Sequence, residues 1–112
     1  MKKVYVGIDV GSKQCAAVAI DSLGKMVDSE TFKTSERNLI AFAQRQKGEV
    51  RVLIEEGEMA GWVRRTIRPY VASVTVCDPK RNAWVARAPN KRDAVDAAKL
   101  AELLRLDSFS AV

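Results

Sequence analysis

The chain has 112 residues, 47% of them hydrophobic, which is enough for one domain around a single core and not for two. Lys and Arg number 19 against 14 Asp and Glu, and the formal charge of +5 suits a polyanionic partner. Histidine is absent, which excludes a His general base, a Ser–His–Asp triad and the usual His-containing zinc sites, so any chemistry must run on carboxylates, amines or hydroxyls.

In chain order, residues 3–10 alternate as a strand, with Val4, Val6, Ile8 and Val10 on one side and Tyr5, Gly7 and Asp9 on the other. Gly11-Ser12 reads as a turn into a second strand over 15–21. Gly24 marks another turn before a weakly alternating third strand over 26–34. These make an antiparallel meander. Ser35 then caps a helix carrying Leu39, Ile40, Phe42 and Ala43, ending before Gly48. A β-branched strand follows over 50–55. The spacing of Met59, Trp62, Val63 and Ile67 predicts a helix stopped by Pro69. A fifth strand runs over 72–77 and closes at Asp78-Pro79. Residues 80–92 are basic and irregular or partly helical, 94–105 form a strong helix, and 106–112 trail off.

The order β-β-β-α-β-α-β-α predicts an α/β, ribonuclease-H-like mixed five-stranded sheet, with helices on its faces. No run approaches the ~18 apolar residues of a membrane span, and no signal-peptide pattern opens the chain. Cys15 and Cys77 show no CxxC or zinc spacing and are expected to be reduced and buried. The expectation is a soluble, cytoplasmic protein.

Carboxylates stand where core residues belong. At ~100° per residue, Asp93, Ala97, Leu100 and Leu104 fall within about 40° of one line, with Asp96 about 60° to one side. Asp93 alone could be an acid favoured by the helix dipole. A second acid on the same buried stripe needs another reason. Asp9 is flanked on its own face by Gly7 and Gly11, which predicts space for a ligand or metal beside it. Glu55 and Glu56 are adjacent and point opposite ways, so alternation cannot choose between them.

Converging carboxylates repel unless a cation joins them, and hard oxygen ligands suit Mg²⁺, with Mn²⁺ as a substitute. Such a site serves phosphodiester chemistry. Lys80, Arg81, Arg87, Lys91 and Arg92 lead into Asp93 and are candidates for phosphate contact. Trp84 lies among them; packing is its expected role, as is core packing for Trp62.

VGIDVGSKQCAAVAID, VLIEEGEMAGWVRRTIRPYVASVTVCDPKRN and KRDAVDAAKLAELLR together resemble the N-terminal, RuvC-like domain of DEDD transposases of the insertion-sequence-110 type. The resemblance covers nearly the whole chain in the right order. It implies that the four family acids fall on Asp9, Glu55, Asp93 and Asp96. Glu55-Glu56-Gly57 departs from the commoner Glu-small-small-Gly, which keeps Glu56 a rival. The resemblance also implies Mg²⁺-dependent DNA cleavage and rejoining, a structured guide RNA, self-association and a further C-terminal domain with a catalytic serine. The chain is therefore expected to be the N-terminal part of a longer transposase.

Three rivals remain at this level. A stand-alone nuclease of the Holliday-junction-resolvase type would share the acids. An actin-like ATP-binding fragment would share the Gly7–Ser12 phosphate-loop pattern. A non-catalytic nucleic-acid-binding module would need the basic residues alone.

Overall fold

The computed structural model describes residues 1–78 and 93–112, with the side chains of 93 and 94 outside that set. The elements are β1 (Lys3–Val10), β2 (Gln14–Ile20), β3 (Met26–Lys33), α1 (Glu36–Arg45), β4 (Glu49–Glu55), α2 (Ala60–Ile67), a 3-10 turn (Arg68–Tyr70), β5 (Ser73–Cys77) and α3 (Asp93–Arg105). Each described element lies within about a residue or two of its expected span, the ordinary scatter at frayed ends.

The five strands form one sheet in the order β3-β2-β1-β4-β5. β1 pairs antiparallel with β2 and parallel with β4, β2 pairs antiparallel with β3, and β4 pairs parallel with β5. β1 is therefore central, and both of its faces are covered. Val4, Val6 and Ile8 pack with Leu39, Phe42 and Ala43 of α1 and with Ala60, Val63 and Ile67 of α2. On the opposite face Tyr5, Ala16, Val18 and Ile20 pack with Ala97 and Ala101 of α3, while Leu53 and Cys77 meet Leu100 and Leu103.

Local chemistry fixes the helix ends. Ser35 accepts a hydrogen bond from the Asn38 N–H at 3.1 Å, the N-cap bond expected of Ser-x-x-Asn and worth ~1 kcal/mol. α1 stops where the Gln46 N–H turns to the Ala43 carbonyl. Pro69 cannot continue α2, and the chain tightens into the 3-10 turn. Trp62 is half-buried and packs on the α1/α2 core, as expected. Cys15 and Cys77 are both buried and reduced.

Two expectations need correction. The tail does not trail off: the Asp78 N–H donates to the Ser110 carbonyl (2.8 Å) and the Val112 N–H to the Val76 carbonyl (2.9 Å), around a Cys77–Ala111 bridge. Asp107 turns it back with a left-handed φ of 55°, donating to the Leu104 carbonyl while Ser108 donates to Leu103. This is a Schellman-type close with Asp where Gly is usual. An unpaired β5 edge offers hydrogen bonds that composition does not reveal.

The second correction concerns Gly7. The space beside it holds α3 and no ligand: a Cβ there would lie 2.6 Å from the Ala101 nitrogen and 2.8 Å from the Leu100 Cβ, and would clash with the Ala97 carbonyl. Glycine lets helix backbone touch strand backbone at this point. Gly11 likewise serves the turn, donating to the Gln14 carbonyl at 3.0 Å. No helix among the described residues is long and apolar enough to cross a membrane.

Candidate functional site

Parallel pairing of β1 with β4 decides which acids are neighbours. The last registered pair is Ile8 with Ile54. Asp9 and Glu55 follow directly, on adjacent strands ~4.8 Å apart. Leu53 packs on α3 while Val52 and Ile54 pack under α1 and α2, so strand alternation turns Glu55 toward the α3 face. Asp9 shares that face by its parity with Tyr5 and Gly7. The ambiguity between the two glutamates is thus narrowed by which neighbour of Glu55 touches which helix. Glu55 is half-buried and Glu56 exposed.

Both line an open cleft of ≈ 290 Å³ walled by Asp9, Ser12, Glu55 and the stretch from Glu56 to Ala60, with Leu100 of α3 beneath. The loop after β4 is held by backbone bonds: the Glu56 N–H donates to the Cys77 carbonyl (2.9 Å) and the Ala60 N–H to the Gly57 carbonyl (3.1 Å). Ser12 and the residues 57–60 went unnoticed in the sequence as cleft wall. Their position directly after the two acid-bearing strands was one signal for them, and for Ser12 the Gly7–Ser12 phosphate-loop pattern was another.

The third acid arrives on α3, which runs opposite to β1. Tyr5 shares a cavity with Leu104 and Arg105, whereas Gly7 abuts Ala97, Leu100 and Ala101. Two further residues along β1 advance ~7 Å, a distance the helix covers in four to five residues at ~1.5 Å each. The level of Asp9 therefore corresponds to the first turn of α3, where Asp96 stands. Asp96 is 2% exposed, the one buried charged residue among those described. Carboxylates are rarely buried unless their charge is compensated.

Asp93 opens α3 one turn earlier, and its side chain lies outside the described set. Lys80, Arg81, Arg87, Lys91, Arg92 and Trp84 also lie outside the described residues. Among the described residues no three Asp, Glu or Cys side chains gather closely enough to form a metal cluster. The donor chemistry that is present, carboxylate oxygens from adjacent strand ends, fits a hard divalent cation. Mg²⁺ commonly takes only one or two carboxylates and completes its shell with water and substrate phosphate.

A family model described as transposase, of the DEDD insertion-sequence-110 type, matches residues 6–112. No curated protein sequence matches the chain. Among solved structures, the ethanolamine utilization protein EutJ from Carboxydothermus hydrogenoformans is similar, at 19% identity and a TM-score of 0.49. The match covers 79% of this chain and 40% of that one. Since the transposase match runs from within β1 to the last residue and takes in every acid of the cleft, the chain belongs to the DEDD transposase family of the insertion-sequence-110 type.

Proposed function

We propose that this domain binds DNA and supplies the carboxylates of a Mg²⁺-dependent strand-cleavage and transfer site in DNA transposition. The observation that carries this reading is that Asp9 and Glu55 directly follow the last pair of two parallel strands and line one cleft, with Leu100 of α3 in its wall. The strand order, with two helices on one face and one on the other, is consistent with a ribonuclease-H-like, RuvC-like sheet.

Asp9 and Glu55 would hold the cation from the sheet, with Asp96 and Asp93 approaching from α3. A bound divalent ion supplies Lewis acidity toward a phosphoryl oxygen and eases deprotonation of the attacking hydroxyl. The protein's own work is to orient. Rigid strand ends fix two carboxylates, and the Cys77–Glu56 backbone bond holds the loop that walls the phosphate path. Leu100 and its neighbours keep the floor apolar, which strengthens every charge interaction above it. By the same family reading, a structured guide RNA, self-association and a serine-bearing domain complete the reaction.

Calorimetric titration with Mn²⁺ tests the site. Binding is expected for the wild-type chain and lost in Asp9→Asn. Glu55→Gln should weaken binding by at least about tenfold, with less than about twofold for Glu56→Gln. Heat-silent titrations of the wild type, both with and without a DNA oligonucleotide, would refute the metal site.

A further inference from the structure

The described arginines differ in what they meet. Arg45, Arg51 and Arg105 are committed to carboxylates: Arg45 to Asp28 and Glu30, Arg51 to Glu49, Arg105 to Glu102. Arg68 donates to the Val71 carbonyl at 2.8 Å. Like Arg37 of α1, Arg64 and Arg65 are exposed and form no ion pair with any described residue. They stand on α2, whose first residue, Ala60, and the residue before it, Met59, belong to the cleft wall.

Arg65 does not extend straight into solvent. Its Nη1 lies 3.1 Å from where a Cβ on Gly61 would be. The guanidinium therefore folds back one helical turn, toward the cleft end of α2, across a position kept bare by glycine. A cation gains nothing from the helix at that end, because the macrodipole there is positive. No acid occupies the first turn of α2 to attract it. Charge is thus concentrated at the rim of an acidic cleft, in an arrangement whose natural complement is a phosphate group. Arg64 precedes Arg65 on α2, and Arg68 opens the 3-10 turn at the end of the helix away from the rim.

We infer that Arg64 and Arg65 form a phosphate-binding ridge that grips the DNA backbone as it leaves the cleft. The inference rests on the transposition reading and assigns the surface that carries the substrate strand. DNA is the occupant because the ridge begins where the cleft ends, so one strand would follow both. Arginine suits the task, since its planar fork meets phosphate oxygens bidentately.

Fluorescence anisotropy of a labelled DNA duplex bound to the full 112-residue chain tests this, over a series of salt concentrations. The double variant Arg64→Gln/Arg65→Gln should bind roughly tenfold more weakly, with a salt slope shallower by about 1.8, the release expected from two phosphate contacts. Arg64→Lys/Arg65→Lys should recover most of the affinity, which separates lost charge from lost folding. Lys25→Gln, in the β2–β3 turn far from the cleft, should change neither quantity. If the wild type binds DNA and the double Gln variant binds it with the same affinity and slope, the ridge is refuted while the function stands. If the double variant loses affinity for an RNA duplex but not for DNA, the assignment to DNA is overturned. If the wild type binds no DNA at any salt concentration, ridge and function fall together.

Discussion

Two groups of carboxylates in this domain have opposite fates. On edge strand β3, Asp28 and Glu30 are gripped by Arg45 of α1: Nε to Asp28 at 2.7 Å and Nη1 to Glu30 at 2.6 Å. Gln46 also donates to Asp28 at 2.7 Å, and the Arg45 guanidinium lies 4.8 Å above the Phe42 ring. That group is a clasp, with one guanidinium serving two acids, open to water. The other group, Asp9, Glu55 and the level of Asp96, sits at strand ends against an apolar helix face. The contrast teaches that an acid's role follows from what the fold sets opposite it. A guanidinium makes the first group a fastener, and the second lines the cleft for which we propose a cation.

The comparison can be broken at its foundation by Gly7→Ala, which sets a methyl group against the backbone of α3. The expected loss is ~3 kcal/mol or more in urea unfolding, at the upper end of overpacking costs because the obstructing atoms are main chain. Divalent-ion binding should fail with it, since α3 is displaced from the strand that carries Asp9.

A second test separates the two groups by their response to metal. Mn²⁺ at ~100 times its dissociation constant should raise the unfolding free energy of the wild type by about 2.7 kcal/mol. Asp9→Asn should abolish that increment and Asp28→Asn should leave it intact. An equal increment in Asp9→Asn would place the cation elsewhere.

A smaller effect is expected at the clasp itself. Arg45→Ala should cost about 1 kcal/mol, the upper end for surface pairs, because one guanidinium serves two acids and also covers Phe42. The Mn²⁺ response should not change.

The smallest effect is a pH dependence. The Arg45 hydrogen bond holds the Asp28 carboxyl below its ordinary value, against the opposing effect of burial. A carboxylate depressed in the folded state contributes stability that is complete above its unfolded value, about 3.9. That contribution is lost as pH falls through the lower folded value. Thermal melts should show this loss in the wild type below about pH 4, and Asp28→Asn should flatten that part of the profile.

Much of the domain was legible in the chain alone. The period-two alternation of β1, the Ser35 cap and the Leu39–Phe42–Ala43 stripe are local signals, and the structure bears them out. The burial of Asp96 was equally readable, because helical geometry places it beside Leu100 whatever surrounds it.

What local rules could not reach was partnership. Glu55 and Glu56 are equivalent until β4 is paired beside β1 and Leu53 is seen to touch α3. Gly7 looked like room for a ligand because a missing side chain does not say what fills its place; a helix backbone does. The tail gave no strand signal, since its hydrogen bonds belong to the exposed edge of β5. No local rule shows that the Arg65 side chain lies back over Gly61. Sequence by itself determined most of the elements and the family, and named the candidate acids. Tertiary structure decided which residues face one another, because strand pairing and helix docking join positions whose separation along the chain carries no periodic signature.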